Sequence, residues 1–251
     1  MGKPHRSPES RPQRPAGRPR RAADRPVEAV GETVLRVEVD GGPTRILTAS
    51  AGGHADLAVG HLLALGYDAR ALREAHVACS PGVVRVALPD GANAAPGEPR
   101  DAAEARHDGG AAHVIDCEAC AARLVRGRAA PPEPEALHAL MAALLDGNAG
   151  VHGAALVRGN EMVHRVEDVG RHAAVDRLVG AALRRGWDAR ELGLATTARI
   201  SGDMAYKAAR AGLAWIASRS VPTTLALEIA ALVDLPIAAR AGSARARLFR
   251  P

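Results

Sequence analysis

Gly193-Leu-Ala-Thr-Thr-Ala198, Ala214-Trp-Ile-Ala-Ser218 and Pro236-Ile-Ala-Ala239 are three short apolar runs toward the end of the chain. The intervals between them, 202–211 and 223–233, read as helices. A short apolar run bounded by turn residues is the pattern of a buried strand. Strands alternating with helices predict an α/β layered domain. Upstream, Val175, Leu178, Val179, Ala182 and Leu183 mark another helix, stopped by Gly186. Val151–Val157 and Met162–Arg165 read as a hairpin turning at Gly159-Asn160. Leu137, Leu140, Met141, Leu144 and Leu145 form a helical stripe ended by Gly147.

The N-terminal part is shorter in its elements. Thr33–Asp40 alternates apolar and polar residues, as a half-buried strand does, and Gly41-Gly42 turns it toward a second strand at Thr44–Thr48. Asp56–Leu65 is helix-like, with Leu57, Gly60, His61 and Ala64 on one face and Gly66 as its stop. Val83–Leu88 is a further strand. The expected organisation is a basic tail over 1–25, an α+β domain with its linker over 26–111, a cysteine-bearing loop over 112–133 and an α/β domain over 134–251.

The formal charge of +5 is a property of the tail. Residues 1–25 hold eight Lys and Arg against Glu9 and Asp24, so they carry +6 and the rest of the chain −1. Interrupted by five prolines, this tail cannot bury apolar surface and reads as disordered. Charge of this kind attracts polyanions weakly and defines no specific nucleic-acid site. No apolar run approaches the roughly 20 residues that cross a bilayer, and the N-terminus has no apolar signal core. Three cysteines give no disulfide framework, and the chain reads as cytoplasmic with reduced thiols.

Cys117-Glu-Ala-Cys120 is the feature that names a chemistry. Two thiols at this spacing can ligate a metal, form a redox couple, or carry and resolve a persulfide. A structural zinc site takes four ligands, so Cys79 and a histidine would have to complete one. The pair lies between a linker at 89–111 and the Pro-rich Ala129–Pro134, two stretches that read as flexible. Two further segments can receive an anion. Asp168, Gly170, Arg171 and His172 precede the Val175 helix, and Arg199-Ile-Ser201 follows a strand and opens the next helix. Backbone N–H groups and Arg at a helix start suit phosphate. Both segments can equally be plain caps, through Asp168 and Ser201.

Order and surroundings add a resemblance. Cys117-x-x-Cys120, Gly150-Val-His152-Gly-Ala-Ala-Leu156, Glu167-Asp-Val-Gly-Arg-His172-Ala-Ala-Val-Asp176, Thr197-Ala-Arg-Ile-Ser201-Gly-Asp-Met204, Lys207 and Ser220-Val-Pro-Thr223 occur in that order. From about Pro26 onward the chain resembles the formate dehydrogenase accessory sulfurtransferase family (FdhD). The resemblance implies a C-terminal three-layer domain like that of cytidine deaminases, beside a smaller N-terminal α+β domain, in a homodimer. It implies a sulfur carrier loaded by a cysteine desulfurase, with Cys117 as persulfide carrier and Cys120 assisting. The acceptor is the molybdenum bis(pyranopterin guanine dinucleotide) cofactor of a formate dehydrogenase, bound as substrate, with no metal of the carrier's own. Cofactor contacts are expected from Arg171, His172, Arg199, Ser201 and the segment Arg240, Ala241, Gly242, Ser243, Ala244 and Arg245.

This sequence departs from the family pattern in places. Glu118 and Ala121 stand where Gly is usual, Ala173 where Asn is usual and Ala198 where Gly is usual. The 240–245 segment keeps its last Arg but lacks the aromatic and first Arg of the family's Phe-x-Arg. A cofactor-holding chaperone without sulfur chemistry, or a diverged paralogue serving another molybdoenzyme, is the alternative function. A zinc hydrolase on the same fold needs a His-x-Glu, and none occurs.

Overall fold

The computed structural model describes residues 29–90, 92, 121–144 and 150–250. The basic tail, most of the linker, Gly147 and the Cys117–Cys120 pair lie outside the described residues. Two sheets organise the remainder. The first has four strands in the order β2-β1-β4-β3, from β1 (Thr33–Val39), β2 (Arg45–Ala49), β3 (His76–Ser80) and β4 (Val83–Ala87). The alternation read in β1 sends Leu35, Val37 and Val39 inward, against Val84 and Val86 of β4 and the helix α1 (His54–Ala64). The helix α2 (Ala69–Glu74), capped by the Asp68 carboxylate accepting from Ala71 N–H at 2.9 Å, and strand β3 extend the sequence reading. Both are short, and α2 buries only Ala71 and Leu72, so neither leaves a periodic apolar signal.

The second sheet has six strands in the order β10-β9-β8-β7-β5-β6. Strands β7 (Gly193–Thr196), β8 (Trp215–Ser218) and β9 (Ile237–Ala239) are parallel, as their intervening helices require. β5 (His152–Arg158) runs antiparallel to β7 and forms the expected hairpin with β6 (Glu161–Asp168). That second hairpin strand is longer than the sequence suggested. Val166 to Asp168 continue it because His152 through Ala154 supply ladder partners, although Glu167 and Asp168 look like loop. A last strand, β10 (Arg247–Phe249), pairs antiparallel with β9.

Period-two alternation makes this sheet the middle of three layers. Ala154, Leu156, Leu194, Ile216 and Ile237 face one core with α4 (Arg171–Arg184), α5 (Gly202–Ala211) and α6 (Thr224–Ala231). Ala155, Val157, Ala195, Ala217 and Ala238 face the other, with Leu137, Leu140, Met141 and Leu144 of α3 (Pro134–Leu144). Small side chains let the layers approach closely. An added Cβ on Gly193 would lie 1.9 Å from the buried Trp215 ring. The second tryptophan, Trp187, sits after α4 with the Arg185 guanidinium 5.3 Å from its ring centroid.

The residues leading into the Pro-rich stretch before α3 are fastened, up to its first residue, Ala129. Val125 N–H donates to Ala209 O, and Arg128 and Ala129 N–H both donate to Arg190 O. Gly127 lies so close to Ala214 that a Cβ would be 2.2 Å from its Cα. Proline supplies extended geometry and no donor, and here the neighbouring residues supply the anchoring bonds.

The two parts meet where α1 crosses α4. A Cβ on Gly60 would stand 1.9 Å from Asp176 O, and one on Gly180 would stand 1.9 Å from Asp56 O. The helices therefore touch backbone to backbone. Gly60→Ala and Gly180→Ala are each expected to lower unfolding free energy in urea by at least about 2–3 kcal/mol, the upper range of overpacking. Gly31→Ala, with open space around it, should change it by less than about 0.5 kcal/mol. Equal denaturation midpoints for all three would contradict the close crossing.

Candidate functional site

Parallel strands point their carboxyl ends to one edge, the usual place for a ligand crevice in an open α/β sheet. In this chain β7 delivers Arg199 and Ser201 to that edge, β8 delivers Arg219 and Ser220, and β9 delivers Arg240. The antiparallel β5 begins there with His152, paired with Asp168, after which α4 opens with Arg171 and His172. Segments far apart in sequence are thereby joined. Ser218 Oγ donates to Ala198 O, Arg240 N–H donates to Ser220 O, and Ala241 N–H donates to Ser218 O. His172 Nε2 lies 3.2 Å from Asp203 Oδ2, which links the starts of α4 and α5.

Among the described residues, none of Arg171, Arg199, Arg219 and Arg240 has a carboxylate partner. Arg199, Arg219 and Arg240 are exposed, and Arg171 is half-buried. The helix starts between them are also open. Gly170 and Ser201 occupy the N-cap positions of α4 and α5, and neither helix has a side-chain cap hydrogen bond. By contrast Thr223 caps α6, accepting from Ala226 N–H at 3.3 Å. Free N–H groups, helix dipoles and unpaired guanidinium groups together favour an anion.

Asp168 does not take the capping role foreseen for it, whereas Ser201 does occupy the N-cap position of α5. Asp168 lies two residues before the Gly170 cap and is fully buried. Its Oδ1 accepts from Ser50 and Gly170 N–H at 3.2 and 2.9 Å, and its Oδ2 is 2.9 Å from Arg177 Nε. Ser50 returns the tie: its hydroxyl accepts from Val169 N–H at 3.0 Å and its carbonyl from the Arg177 guanidinium. The end of β2 thus fixes the loop that aims Arg171. Ser201 holds the cap position, but its buried Oγ makes no hydrogen bond.

The 240–245 segment is the turn between β9 and β10. Arg240 adopts φ +51°, uncommon for a residue with a side chain. The Ser243 hydroxyl holds the turn, donating to Arg240 O at 2.9 Å and accepting from Arg245 N–H at 3.2 Å. Ala241 is buried, and Gly242, at φ +83°, packs against Met141. Arg240, Ser243, Ala244 and Arg245 are exposed. The downstream root of the cysteine loop sits elsewhere. Arg210 donates to Arg123 O at 3.2 Å, so residues 123–125 rest at the C-terminal end of α5, opposite Ser201.

Behind the edge lies a buried polar chain whose members the sequence placed only inside motifs or on a helix face. Lys207 Nζ is 2.7 Å from Asp176 Oδ2 and 3.9 Å from Asp203 Oδ2, and His61 Nδ1 is 3.3 Å from Asp176 Oδ2. Burial alone would lower the Lys207 pKa, but Asp176 and then Asp203 outweigh it and hold it above the ordinary value. Burial alone would raise Asp176, and Lys207 with the His61 hydrogen bond holds it below the ordinary value. For His172 burial prevails over Asp203, and its pKa is lowered. The signal available in the sequence was the apolar setting of one Lys and one Asp on helical stripes.

Fold and edge define a mixed α/β protein with unpaired Arg residues around two helix starts that lack side-chain caps, at the carboxyl ends of its parallel strands. The sequence model described as the FdhD/NarQ family matches residues 30–251, and the chain belongs to that family. The sulfur carrier protein FdhD of Staphylococcus haemolyticus is 42% identical over 81 residues, 32% of this chain and 31% of that protein. That of Bacillus subtilis is 37% identical over 103 residues, 39% of each. The matched stretches thus span about a third of the length of these curated relatives. The crystal structure of a candidate formate dehydrogenase accessory protein from Desulfotalea psychrophila superposes with a TM-score of 0.68. It is 20% identical, and the match covers 88% of this chain and 87% of that one, which shows a shared fold. No helix among the described residues is long and apolar enough to cross a membrane.

Lys207→Met should destabilise by about 3–5 kcal/mol, because it leaves the Asp176 carboxylate buried without its cation. Asp176→Leu combined with Lys207→Met should recover most of that loss in chemical denaturation. The pH dependence has two limbs. Asp176, held low, contributes stability above the ordinary Asp range, and this is lost as pH falls through its folded value. Lys207, held high, contributes stability below the ordinary Lys value, lost as pH rises through its folded value. The double variant should flatten both limbs.

Proposed function

We propose that this protein is a sulfur carrier that takes persulfide sulfur from a cysteine desulfurase and delivers it to the guanine dinucleotide form of the molybdenum cofactor, for use by a formate dehydrogenase. Family membership together with the unpaired Arg171, Arg199, Arg219 and Arg240 around two uncapped helix starts is the observation that carries this reading. A pyrophosphate needs both kinds of donor. We read the layer of α3, the six-stranded sheet and the layer of α4–α6 as the cytidine-deaminase-like domain, and the working protein as a cytoplasmic homodimer.

In the loading step the Cys117 thiolate attacks the outer sulfur of the desulfurase persulfide. The donor S–S bond breaks, the donor leaves as thiolate, and Cys117 becomes the persulfide. Such exchange needs an accessible, partly ionised thiol. Cys120 assists or resolves. In the cofactor complex Arg171, His172, Arg199 and Ser201 hold phosphate oxygens, and the exposed Arg240 and Arg245 reach the same ligand from the β9–β10 turn. Arg219, just past the end of β8 between them, joins this set and offsets the loss of the family's first Arg and aromatic.

After incubation with a cysteine desulfurase and cysteine, intact mass should rise by about 32 Da for one sulfur. Cys117→Ala should show no gain and no activation of formate dehydrogenase, with an unchanged thermal transition. Full activation by that variant would remove Cys117 as carrier, and one zinc per chain lost with Cys117 would replace the carrier reading with a metal site. Arg245→Ala should weaken GDP binding by about 1.5–3 kcal/mol, the worth of a charge-assisted hydrogen bond. Unchanged affinity in both Arg245→Ala and Arg245→Glu would detach the 240–245 turn from the ligand.

A further inference from the structure

We propose that His172 holds the ligand's phosphate only as an imidazolium, so that binding at the strand edge draws in one proton, with Asp203 and Lys207 as the positioning groups that enforce this. The inference rests on the reading of that edge as a nucleotide diphosphate site.

The Nε2 atom of His172 is sealed from solvent and lies 3.2 Å from Asp203 Oδ2, within ion-pair range though not aligned as a straight hydrogen bond. No other described group accepts from it. A neutral imidazole has a single N–H. Beside an ionised carboxylate that hydrogen belongs on Nε2, which leaves Nδ1 with a lone pair. The oxygens of an ionised diphosphate are acceptors too. A lone pair facing them repels, whereas a second proton on Nδ1 turns the contact into a charge-assisted donor.

The surroundings keep this choice sharp. Across from His172 on α5 stand Asp203 and Lys207, and on its own helix Arg171 and Asp176. His61 of α1 meets the same Asp176. Lys207 stands between two carboxylates, 2.7 Å from Asp176 Oδ2 and 3.9 Å from Asp203 Oδ2, and its charge draws Asp203 to the side of α5 that meets His172. In the free protein burial, aided by Lys207 and Arg171, lowers the His172 pKa despite Asp203 and Asp176. A diphosphate placed beside the ring adds the negative charge that reverses this balance. The free ring is therefore neutral near pH 7.5 and the bound ring charged. One proton taken up makes affinity fall by up to tenfold for each unit of rising pH.

Calorimetric titration of the full chain with GDP, from pH 7.0 to 8.5 in buffers of different ionisation enthalpy, tests this. The terminal phosphate, with a second pKa near 6, is almost fully ionised across most of that window. The expected result is an uptake approaching one proton per GDP, with affinity falling as pH rises. His172→Asn should still bind GDP, with uptake near zero and a flat pH profile. Asp203→Asn should also bind without uptake, because an amide can donate to Nε2 and let the neutral ring carry its hydrogen on Nδ1; a merely structural Asp203 would not give that outcome. Arg171→Ala should weaken GDP several-fold at every pH and leave the uptake as in the unmodified chain. GDP binding with buffer-independent heat overturns the proposal and leaves the nucleotide site standing. Uptake that survives in His172→Asn and disappears in His152→Asn also overturns it. Absence of GDP binding to the unmodified chain ends the nucleotide reading, and this proposal with it.

Discussion

The contact on which the rest depends is the backbone-to-backbone crossing of α1 and α4 at Gly60 and Gly180. Two helices that touch without side chains between them bring their neighbouring residues into reach as well. One turn along, Asp176 of α4 meets His61 of α1 and Lys207 of α5. A residue further, Arg177 reaches Asp168 and Ser50. Were the helices held at the usual separation of 8–10 Å, this polar chain would open to water and its charges would lose their short partners. The four-stranded sheet therefore acts on the strand edge through α1 and through Ser50, without contributing a side chain to the edge itself.

This arrangement also explains why charged residues survive in the interior. Lys207 and Asp176 are buried, and a buried ion pair is a poor source of net stability because desolvation is costly. Their value here is orientation. Lys207 places its charge 3.9 Å from Asp203, and Asp203 stands beside His172 at the rim. Polar groups that are sealed on one side and open on the other transmit geometry from core to surface, which an apolar core of equal volume cannot do. The same holds for Asp168, whose carboxylate organises the Val169–Gly170 turn from a position with no exposure at all.

How much of this was legible in the sequence follows from what each element rests on. The strands β7, β8 and β9 and their helices show because both sheet faces are buried, so their residues form unbroken apolar runs. The β6 strand showed only in part, since its polar end is held by ladder bonds to β5 and not by apolar burial. The strand β10 has all three residues exposed and leaves no burial pattern to find. Arg171, His172, Arg199 and Ser201 were legible as helix-start residues; that they share one edge is a property of strand order, which no local pattern carries. The pairing of Asp176 with Lys207 joins residues 31 apart and depends on the crossing angle of three helices. Arg219 was invisible for the same reason, being one exposed Arg among many until β8 placed it between Arg199 and Arg240.

The position of Trp215 has a consequence for how this molecule reports on itself. The chain holds two tryptophans, and both lie toward the end of the sheet away from the carboxyl ends of the parallel strands: Trp215 begins β8 against Gly193, and Trp187 follows α4. The buried indole is a fluorophore wired to the close packing of the parallel strands, so its emission follows loss of the core. The half-buried one sits among guanidinium groups and reads the state of the opposite surface. Neither indole lies beside Arg199 or Arg240 at the carboxyl ends of the parallel strands. Intrinsic fluorescence of this protein is thus an unfolding gauge, placed away from the carboxyl ends of its parallel strands.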